Sequence, residues 1–143
     1  MPDPAANLYI NKAHIRDVIR VEGIPYTFVS CNYFVGILLP QLAQPELEAP
    51  PRDNILIFGD GNKKAVFVKE EDVASFTIKT VDDLRTLNKV MYMRPPGNTY
   101  SMNELVALWE ERIGKNLKKF YVSEEQVLQC IRGMEEKHAL PAN

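Results

Sequence analysis

The sequence predicts an α/β fold, because helical and extended patterns alternate along the chain. Segments with apolar residues at helical spacing are followed by short runs of β-branched and aromatic residues, and glycines and prolines fall between them. Two Ser-x-x-Glu/Gln patterns also stand where helices would begin. The 143 residues, 45% of them hydrophobic and 25% charged, suffice for one core, so we expect a single domain over residues 1–143.

A helix and a strand are predicted first. Apolar residues recur at helical spacing over residues 10–21, and a glycine and a proline follow within four residues. Residues 26–30 then form an apolar run typical of a buried strand. Residues 33–43 are apolar but contain Pro40, which predicts a helix that bends or ends near Leu39.

Two short strands and a helix are predicted in the middle of the chain. Residues 54–58 and 65–68 are rich in β-branched and aromatic residues, and Asp60-Gly61 lies between them. An Asp-Gly pair between two apolar runs is typical of a hairpin turn, so we expect a hairpin or neighbouring strands. Residues 70–80 follow as a helix, with acidic residues at its amino end.

A further strand and a well-marked helix come next. Residues 90–93 form a short strand that ends before a Pro-Pro-Gly sequence. Ser101 and Glu104 then have the spacing of a capping box, in which each side chain accepts a backbone N–H of the other residue. The helix that they open is expected to end at Ile113, because Gly114 can adopt the left-handed conformation of a helix stop.

The same capping pattern recurs near the end of the sequence. Ser123 and Gln126 stand three residues apart ahead of an apolar stripe, which predicts a final helix. We expect this helix to stop before a polar tail that starts at Gly133.

Composition argues against several classes of protein. The formal net charge is −2 and no polybasic run occurs, so we expect no nucleic-acid partner. Cys31 and Cys130 are far apart and lack neighbouring ligands, so neither a metal site nor a disulfide framework is predicted. No stretch approaches the roughly 20 apolar residues of a membrane span, and no targeting segment is evident. We therefore expect a cytoplasmic protein without a membrane partner.

Polar and charged residues surround the end of the first predicted strand. Lys12 and Arg16 lie one turn apart on the preceding helix, and Asn32 closes the strand. In open α/β sheets, ligands bind outside the carboxyl ends of the strands, so this layout can hold a cofactor. Taken alone, Lys12 is more simply a solvated surface lysine, and Arg16 is as well explained by a salt bridge with Asp17 or Glu22.

A series of sequence blocks runs in one order through nearly the whole chain. They comprise residues 9–16, 23–34, 49–53, 58–62, 67–72, 85–89, 103–110 and 121–128. Together they resemble the plant isoflavone reductase-like family, which belongs to the NmrA-type atypical short-chain dehydrogenases. Within that family the chain is most similar to the phenylcoumaran benzylic ether reductase and isoflavone reductase group.

The resemblance implies a partial Rossmann-like, NAD(P)-binding fold with part of the substrate-binding region. Members of the family begin with a strand, a glycine-rich turn and a helix whose amino end holds the pyrophosphate. The seven glycines of this sequence are scattered and include no such turn. We therefore expect a domain that is incomplete at both ends relative to the family. Its exposed strand edges and apolar faces would favour association, including homo-oligomers.

The resemblance also assigns roles to residues. Lys12, followed by Ala13 and Arg16, matches the family's catalytic lysine, and Asn32, Tyr33 and Phe34 match its Asn-x-Phe sequence near the nicotinamide; with Lys12 and Arg16 they form the expected cofactor-binding set. It implies NADPH-dependent reduction of phenylpropanoid-derived small molecules: benzylic ethers, isoflavonoids or lignans. We expect this chain alone to be inactive. The alternative is a non-catalytic nucleotide-sensing or partner-binding module of the NmrA type.

Overall fold

The computed structural model describes residues 4–44 and 47–138, with side chains for residues 6–44 and 47–132. The chain divides into two compact units. The first contains the described residues up to Cys31 together with Glu71–Met93, and the second contains Asn32–Glu70 and the described residues from Arg94 onward. The expectation of one domain over residues 1–143 stays a prediction.

Helices and strands alternate as the sequence predicts. In chain order they are α1 (Pro4–Val21), β1 (Thr27–Ser30), β2 (Tyr33–Phe34), α2 (Val35–Leu38), β3 (Asn54–Phe58), β4 (Lys64–Val68), α3 (Glu70–Val81), a 3-10 turn (Leu84–Thr86), β5 (Lys89–Tyr92), β6 (Thr99–Ser101), α4 (Met102–Ile113), β7 (Lys118–Val122) and α5 (Glu124–His138). The α/β class is confirmed. Helix α1 begins at Pro4, six residues earlier than the predicted residue 10. The first turn of a helix tolerates proline, which lacks a backbone N–H, because an N–H at that position would have no acceptor within the helix.

The first unit contains a parallel pair of strands. Strand β1 pairs with β5 in a register that runs from Thr27 opposite Lys89 to Ser30 opposite Tyr92. Asn88 extends the pairing by one residue, because its backbone N–H donates to the carbonyl of Tyr26 at 2.7 Å and its Oδ1 accepts the Tyr26 N–H at 3.2 Å. The carboxyl ends of both strands therefore lie at the same edge.

The second unit contains the main hydrophobic core. Strand β3 pairs in parallel with β7, and its residues alternate between exposed and buried positions. The buried cluster and the partly buried residues packed on it are Leu42, Ile55, Ile57, Val106 and Leu117, with Met102, Trp109 and Ile113. Helix α4 supplies four of these residues at helical spacing, so the sheet packs one face on this helix.

The side chain of Gln44 covers the unpaired edge of β3. Its Nε2 donates to the carbonyl of Leu56 at 3.0 Å, and its Oε1 accepts the Leu56 N–H at 2.9 Å. Gln44 is only 5% exposed. One buried amide thus takes the place of a neighbouring strand and satisfies both backbone groups.

The predicted hairpin between β3 and β4 is wrong. Strand β4 lies between β2, to which it is parallel, and β6, to which it is antiparallel, whereas β3 pairs with β7. The Asp60-Gly61 connection has the positive φ expected at Gly61, 70°, but it is tied to α4 instead. Asn103 donates through Nδ2 to the Asp60 carbonyl and to Oδ1 of Asn62, at 2.9 and 2.8 Å.

Both predicted capping boxes are present. Ser101 accepts the Glu104 N–H and its own N–H donates to the Glu104 carboxylate at 2.7 Å. Ser123 and Gln126 make the equivalent pair of bonds at the start of α5. The predicted stop before Gly133 is wrong, since α5 continues to His138. A single glycine costs a helix only about 1 kcal/mol, so it does not end one by itself. The rest of the predicted tail, residues 139–143, lies outside the described residues.

Candidate functional site

Helix α1 presents two cationic side chains one turn apart. Lys12 is exposed, whereas Arg16 is half-buried. The Arg16 guanidinium carbon lies 5.3 Å from the centre of the Phe28 ring on β1, within cation–π range. Asp17, which the simpler interpretation paired with Arg16, instead bonds Arg20 at 2.8 Å. The helix therefore holds Arg16 against the strand and leaves Lys12 in solvent.

An aromatic pair at the start of β1 forms the surface on which Arg16 and Arg20 rest. The rings of Tyr26 and Phe28, two residues apart and thus on one face of the strand, stack with centroids 4.2 Å apart and planes 19° apart. Arg20 lies 5.9 Å from the first ring and 5.3 Å from the second. Sequence reasoning missed this pair. The sequence does contain a signal for it: two aromatic residues stand at alternate positions directly after a helix whose arginines are one turn apart.

The remaining predicted cofactor residues belong to the second unit. Asn32 has a φ of 61°, in the left-handed region that asparagine tolerates better than most residues. Tyr33 is 55% exposed, and its ring lies 6.0 Å from that of Phe67. Phe34 is half-buried and directly precedes α2. The structure thus groups Asn32, Tyr33 and Phe34 in one unit, and Lys12 and Arg16 in the other.

The side chain of Glu70 binds the backbone of α2, which follows Phe34. Its carboxylate accepts the backbone N–H of Gly36 at 3.0 Å through Oε1 and at 3.3 Å through Oε2. A Cβ at Gly36 would stand 2.7 Å from Oε1, so a larger residue there would displace the Glu70 carboxylate from its present position. Glu70 thus has a structural partner, and it is the first residue of α3, where acidic residues were predicted at a helix amino end.

Carboxylates elsewhere in the two units also stabilise local structure. The pKa of Asp83 is lowered to about 2, first by hydrogen bonds from the Arg85 side chain and then by the Arg85 backbone N–H. The pKa of Glu110 is lowered by the Leu117 N–H first and by Lys119 second. Within the residues that the structure describes, no group of three or more metal-ligating side chains occurs. Nor is any helix of this part of the chain both long and apolar enough to cross a bilayer.

The first unit contains a cavity of about 350 Å³ beside the amino end of β1. The residues that line it are Pro25, Tyr26, Thr27, Val29, Thr77, Thr80, Val81, Asp83, Leu84 and Leu87. Lys12 and Arg16 do not line it. Ligands of parallel sheets bind at the other end of the strands, so this cavity does not mark the cofactor position.

The chain is similar to plant reductases along most of its length. It is 65% identical over 129 residues to a phenylcoumaran benzylic ether reductase of Ginkgo biloba, and 61% identical over 130 residues to an isoflavone reductase-like protein of Olea europaea. These alignments cover 90% and 91% of this chain but 42% of each relative. The chain therefore spans less than half the length of the curated relatives that it matches.

Solved structures give the same picture. A crystal structure of isoflavone reductase matches with a TM-score of 0.87 and 49% identity, over 91% of this chain and 42% of the other. The structure of AtPrR2 with NADP+ and (+)-pinoresinol matches with a TM-score of 0.82 and 41% identity, over 90% and 41%. The fold is therefore part of a Rossmann-like, NAD(P)-binding fold, as expected. The model of the NmrA-like family matches residues 1–142, and the chain accordingly belongs to the NmrA-like family.

Proposed function

We propose that this chain carries the catalytic lysine and part of the cofactor site of an NADPH-dependent reductase of phenylpropanoid-derived small molecules. The observation that supports this most is the match to a structure that contains NADP+ and (+)-pinoresinol. The substrate would be a benzylic ether, an isoflavonoid or a lignan. These are the substrate classes that the names of the similar proteins indicate.

The cations of α1 suit a dinucleotide phosphate. Lys12 offers three N–H donors and Arg16 five, and both lie on one face of the helix. A bound dinucleotide carries several negative charges, so two cations one turn apart favour it electrostatically. Lys12 is exposed, whereas Arg16 is half-buried and rests against the Phe28 ring.

Lys12 is assigned the proton-handling role. NADPH, when bound, supplies the hydride. The Lys12 ammonium can donate to a ribose or substrate hydroxyl and hold a proton at Nζ where negative charge develops on oxygen. Its exposed position lets it reach such a group from the helix surface.

Asn32, Tyr33 and Phe34 are assigned to the nicotinamide side of the site. Asn32 follows β1 by two residues, just beyond the carboxyl end of a parallel strand. An amide there can donate to or accept from a carboxamide or ribose, and the neighbouring rings provide apolar surface. The Glu70 bond to Gly36 fixes the backbone that follows these residues.

Activity would require the remaining part of a full-length reductase. The chain covers 42% of its relatives, and a nucleotide site needs a phosphate-binding turn that its glycines do not form. We therefore propose that the chain alone is inactive and that it associates with further protein, such as a second copy of itself. We also propose that it is cytoplasmic. A non-catalytic nucleotide-sensing module is the competing function.

Calorimetry with NADPH tests the proposal. We expect weak binding by the 143-residue chain and at least 100-fold tighter binding once the preceding residues of the Ginkgo biloba relative are fused to its amino end. Absence of binding by the fused protein would contradict the proposal. Tight binding by the short chain would contradict only its inactivity.

Lys12→Ala separates the two functions in a protein that is completed with all the remaining residues of the Ginkgo biloba relative. We expect turnover to fall about 1,000-fold, as for a lost acid–base group. NADPH affinity should fall much less, since Arg16 still supplies a cation. Lys79→Ala, an exposed lysine on α3, is the matched control and should leave turnover unchanged. Equal turnover by the Lys12 variant would contradict the catalytic role of Lys12, whereas absence of turnover in the completed protein itself would favour the sensing module.

A further inference from the structure

We propose that Glu70 is a positioning residue, whose carboxylate holds the segment Asn32–Phe34 in the arrangement that orients the nicotinamide of NADPH for hydride transfer. This inference rests on the proposed function, which assigns that segment to the nicotinamide side of the site. It deepens the function by naming a residue that controls the site without touching the cofactor.

Strand β2, which carries two of the three segment residues, is held by few backbone hydrogen bonds. It has only two residues, which pair in parallel with Phe67 and Val68 of β4. Phe34 stands opposite Val68, and two residues further along each segment the Gly36 N–H donates to the Glu70 carboxylate at 3.0 and 3.3 Å. The Glu70 side chain therefore continues the attachment of this segment where the backbone pairing ends.

The short helix α2, which follows β2, depends on Glu70 for its cap. Its N-cap residue is Phe34, whose backbone is extended and whose side chain makes no capping hydrogen bond. N-cap positions favour Ser, Thr, Asp and Asn, because their side-chain oxygens accept the N–H groups of the first turn. A phenyl ring has no such oxygen, so the acceptor for Gly36 comes from a residue 34 positions away. This arrangement lets a ring occupy the N-cap position, where the proposed site uses apolar surface.

The contact ties an exposed segment to a buried part of the second unit. Asn32 and Tyr33 are exposed, whereas Val68, two residues before Glu70, is 0% exposed. Phe67 is also buried, and its ring lies 6.0 Å from that of Tyr33. Glu70 itself is half-buried at the start of α3. The position of the exposed segment is thus set by residues of β4 and by one carboxylate beside them.

Loss of the contact should affect the rate of hydride transfer more than the affinity for NADPH. Transfer depends on the distance and alignment of the reacting atoms, and a misplacement of about 1 Å can cost about 100-fold in rate. The phosphates of a dinucleotide bind at a glycine-rich turn and helix end, apart from the nicotinamide, so their binding energy remains. We therefore expect the contribution of Glu70 in kcat and little of it in the KM for NADPH.

The test measures NADPH turnover with a phenylcoumaran benzylic ether in the protein completed with all the remaining residues of the Ginkgo biloba relative. Glu70→Ala should lower kcat about tenfold and change the KM for NADPH less than about twofold. Glu70→Gln keeps an oxygen that can accept the Gly36 N–H, so its kcat should lie within about threefold of the native value. Asp72→Ala removes an exposed carboxylate from the same first turn of α3 and should leave both constants unchanged.

Gly36→Ala breaks the same contact from its other side. The new Cβ would stand 2.7 Å from Oε1 of Glu70 and displace the carboxylate, so kcat should fall as it does in Glu70→Ala. In a Glu70→Ala background the same change should have no further effect, because the contact is already lost. If Glu70→Ala does not fold, Gly36→Ala and Glu70→Gln carry the comparison.

Hydrogen exchange supplies a readout that does not depend on turnover. In the 143-residue chain the Gly36 amide should exchange about tenfold faster in Glu70→Ala than in the native chain, because the N–H loses a charged acceptor. Asp72→Ala should leave this rate unchanged. An unchanged rate in Glu70→Ala would overturn the inference at its first step.

The contrary results on turnover have distinct meanings. The positioning role alone is overturned if an active completed protein keeps its kcat in Glu70→Ala, if Glu70→Gln fails to restore kcat, or if the effects of Glu70→Ala and Gly36→Ala add. A completed protein that binds NADPH without turnover overturns the role in hydride transfer and favours the sensing module. One that binds no NADPH in calorimetry overturns the proposed function together with this inference.

Discussion

The two units differ in how completely they bury their apolar residues. In the second unit Ile55, Ile57 and Val106 are at most 1% exposed and form one cluster. In the described part of the first unit the buried hydrophobic residue is Met93, while residues such as Ile15 and Val81 are 60% and 76% exposed. The second unit is therefore stabilised by its own core, whereas the first depends on half-buried contacts between strand, helix and side-chain rings.

The strand edges differ in the same way. Gln44 covers β3 from within the second unit at a buried position, 5% exposed. The strand pair of the first unit is extended by Asn88, which is exposed. Parallel sheets are normally buried on both faces, so the strands of the first unit are less covered than those of a typical parallel sheet. The first unit also holds Lys12 and Arg16, to which the proposed catalysis and cofactor binding are assigned.

A cavity-creating change in each unit gives the largest expected contrast. Ile57→Ala should lower the free energy of unfolding by about 3 kcal/mol, because the site is fully buried and well packed. Val29→Ala, at a half-buried position of β1, should cost about 1 kcal/mol. Urea unfolding followed by the fluorescence of Trp109, the one tryptophan, reports the second unit, and amide hydrogen exchange reports the first. Equal losses of unfolding free energy for the two variants would contradict the proposed difference between the units.

Removing the side chain that extends each strand edge gives a smaller contrast. Gln44→Ala should destabilise the second unit by about 2 kcal/mol, since both backbone groups of Leu56 lose their partner beside a buried site. Asn88→Gly, which keeps the positive φ of 57° accessible, should cost less than about 1 kcal/mol. The rates of hydrogen exchange at the Leu56 amide and at the Tyr26 amide, each compared between native and variant chains, measure the difference directly. A larger loss at Asn88 would mean that the exposed edge is the more important one.

Acid should produce the smallest effect in both units. The pKa of Glu110 is below its ordinary value of 4.5, so its contribution is complete above that pH and is lost as the pH falls through the lowered value. The pKa of Asp83 in the first unit is lowered to about 2, so its contacts with Arg85 should persist until the pH falls toward that value. Carboxyl-carbon NMR titration should find both pKa values below the ordinary values of these side chains. Glu110→Gln should reduce the difference in unfolding midpoint between pH 6 and pH 3.

Local chemistry was the part of the fold that could be predicted. The helix starts at Ser101 and Ser123 and the stop at Gly114 were predicted, because each depends on residues three or four positions apart. Strand pairing could not be predicted in this way. The short strands β2, β6 and β7 were missed, and Asp60-Gly61 was interpreted as a hairpin, because turn chemistry says nothing about which distant strand a segment will choose.

The same distinction between local pattern and tertiary contact applies to the candidate site. Sequence by itself determined the family resemblance, the helical spacing of Lys12 and Arg16, and the Asn-x-Phe sequence after β1. Only the tertiary structure decided that Arg16 lies over Phe28, that Asp17 bonds Arg20, and that one glutamine completes the edge of β3. The physical reason is that a short-range pattern fixes which residues share a face, whereas the partner of that face depends on how the whole chain distributes its apolar area.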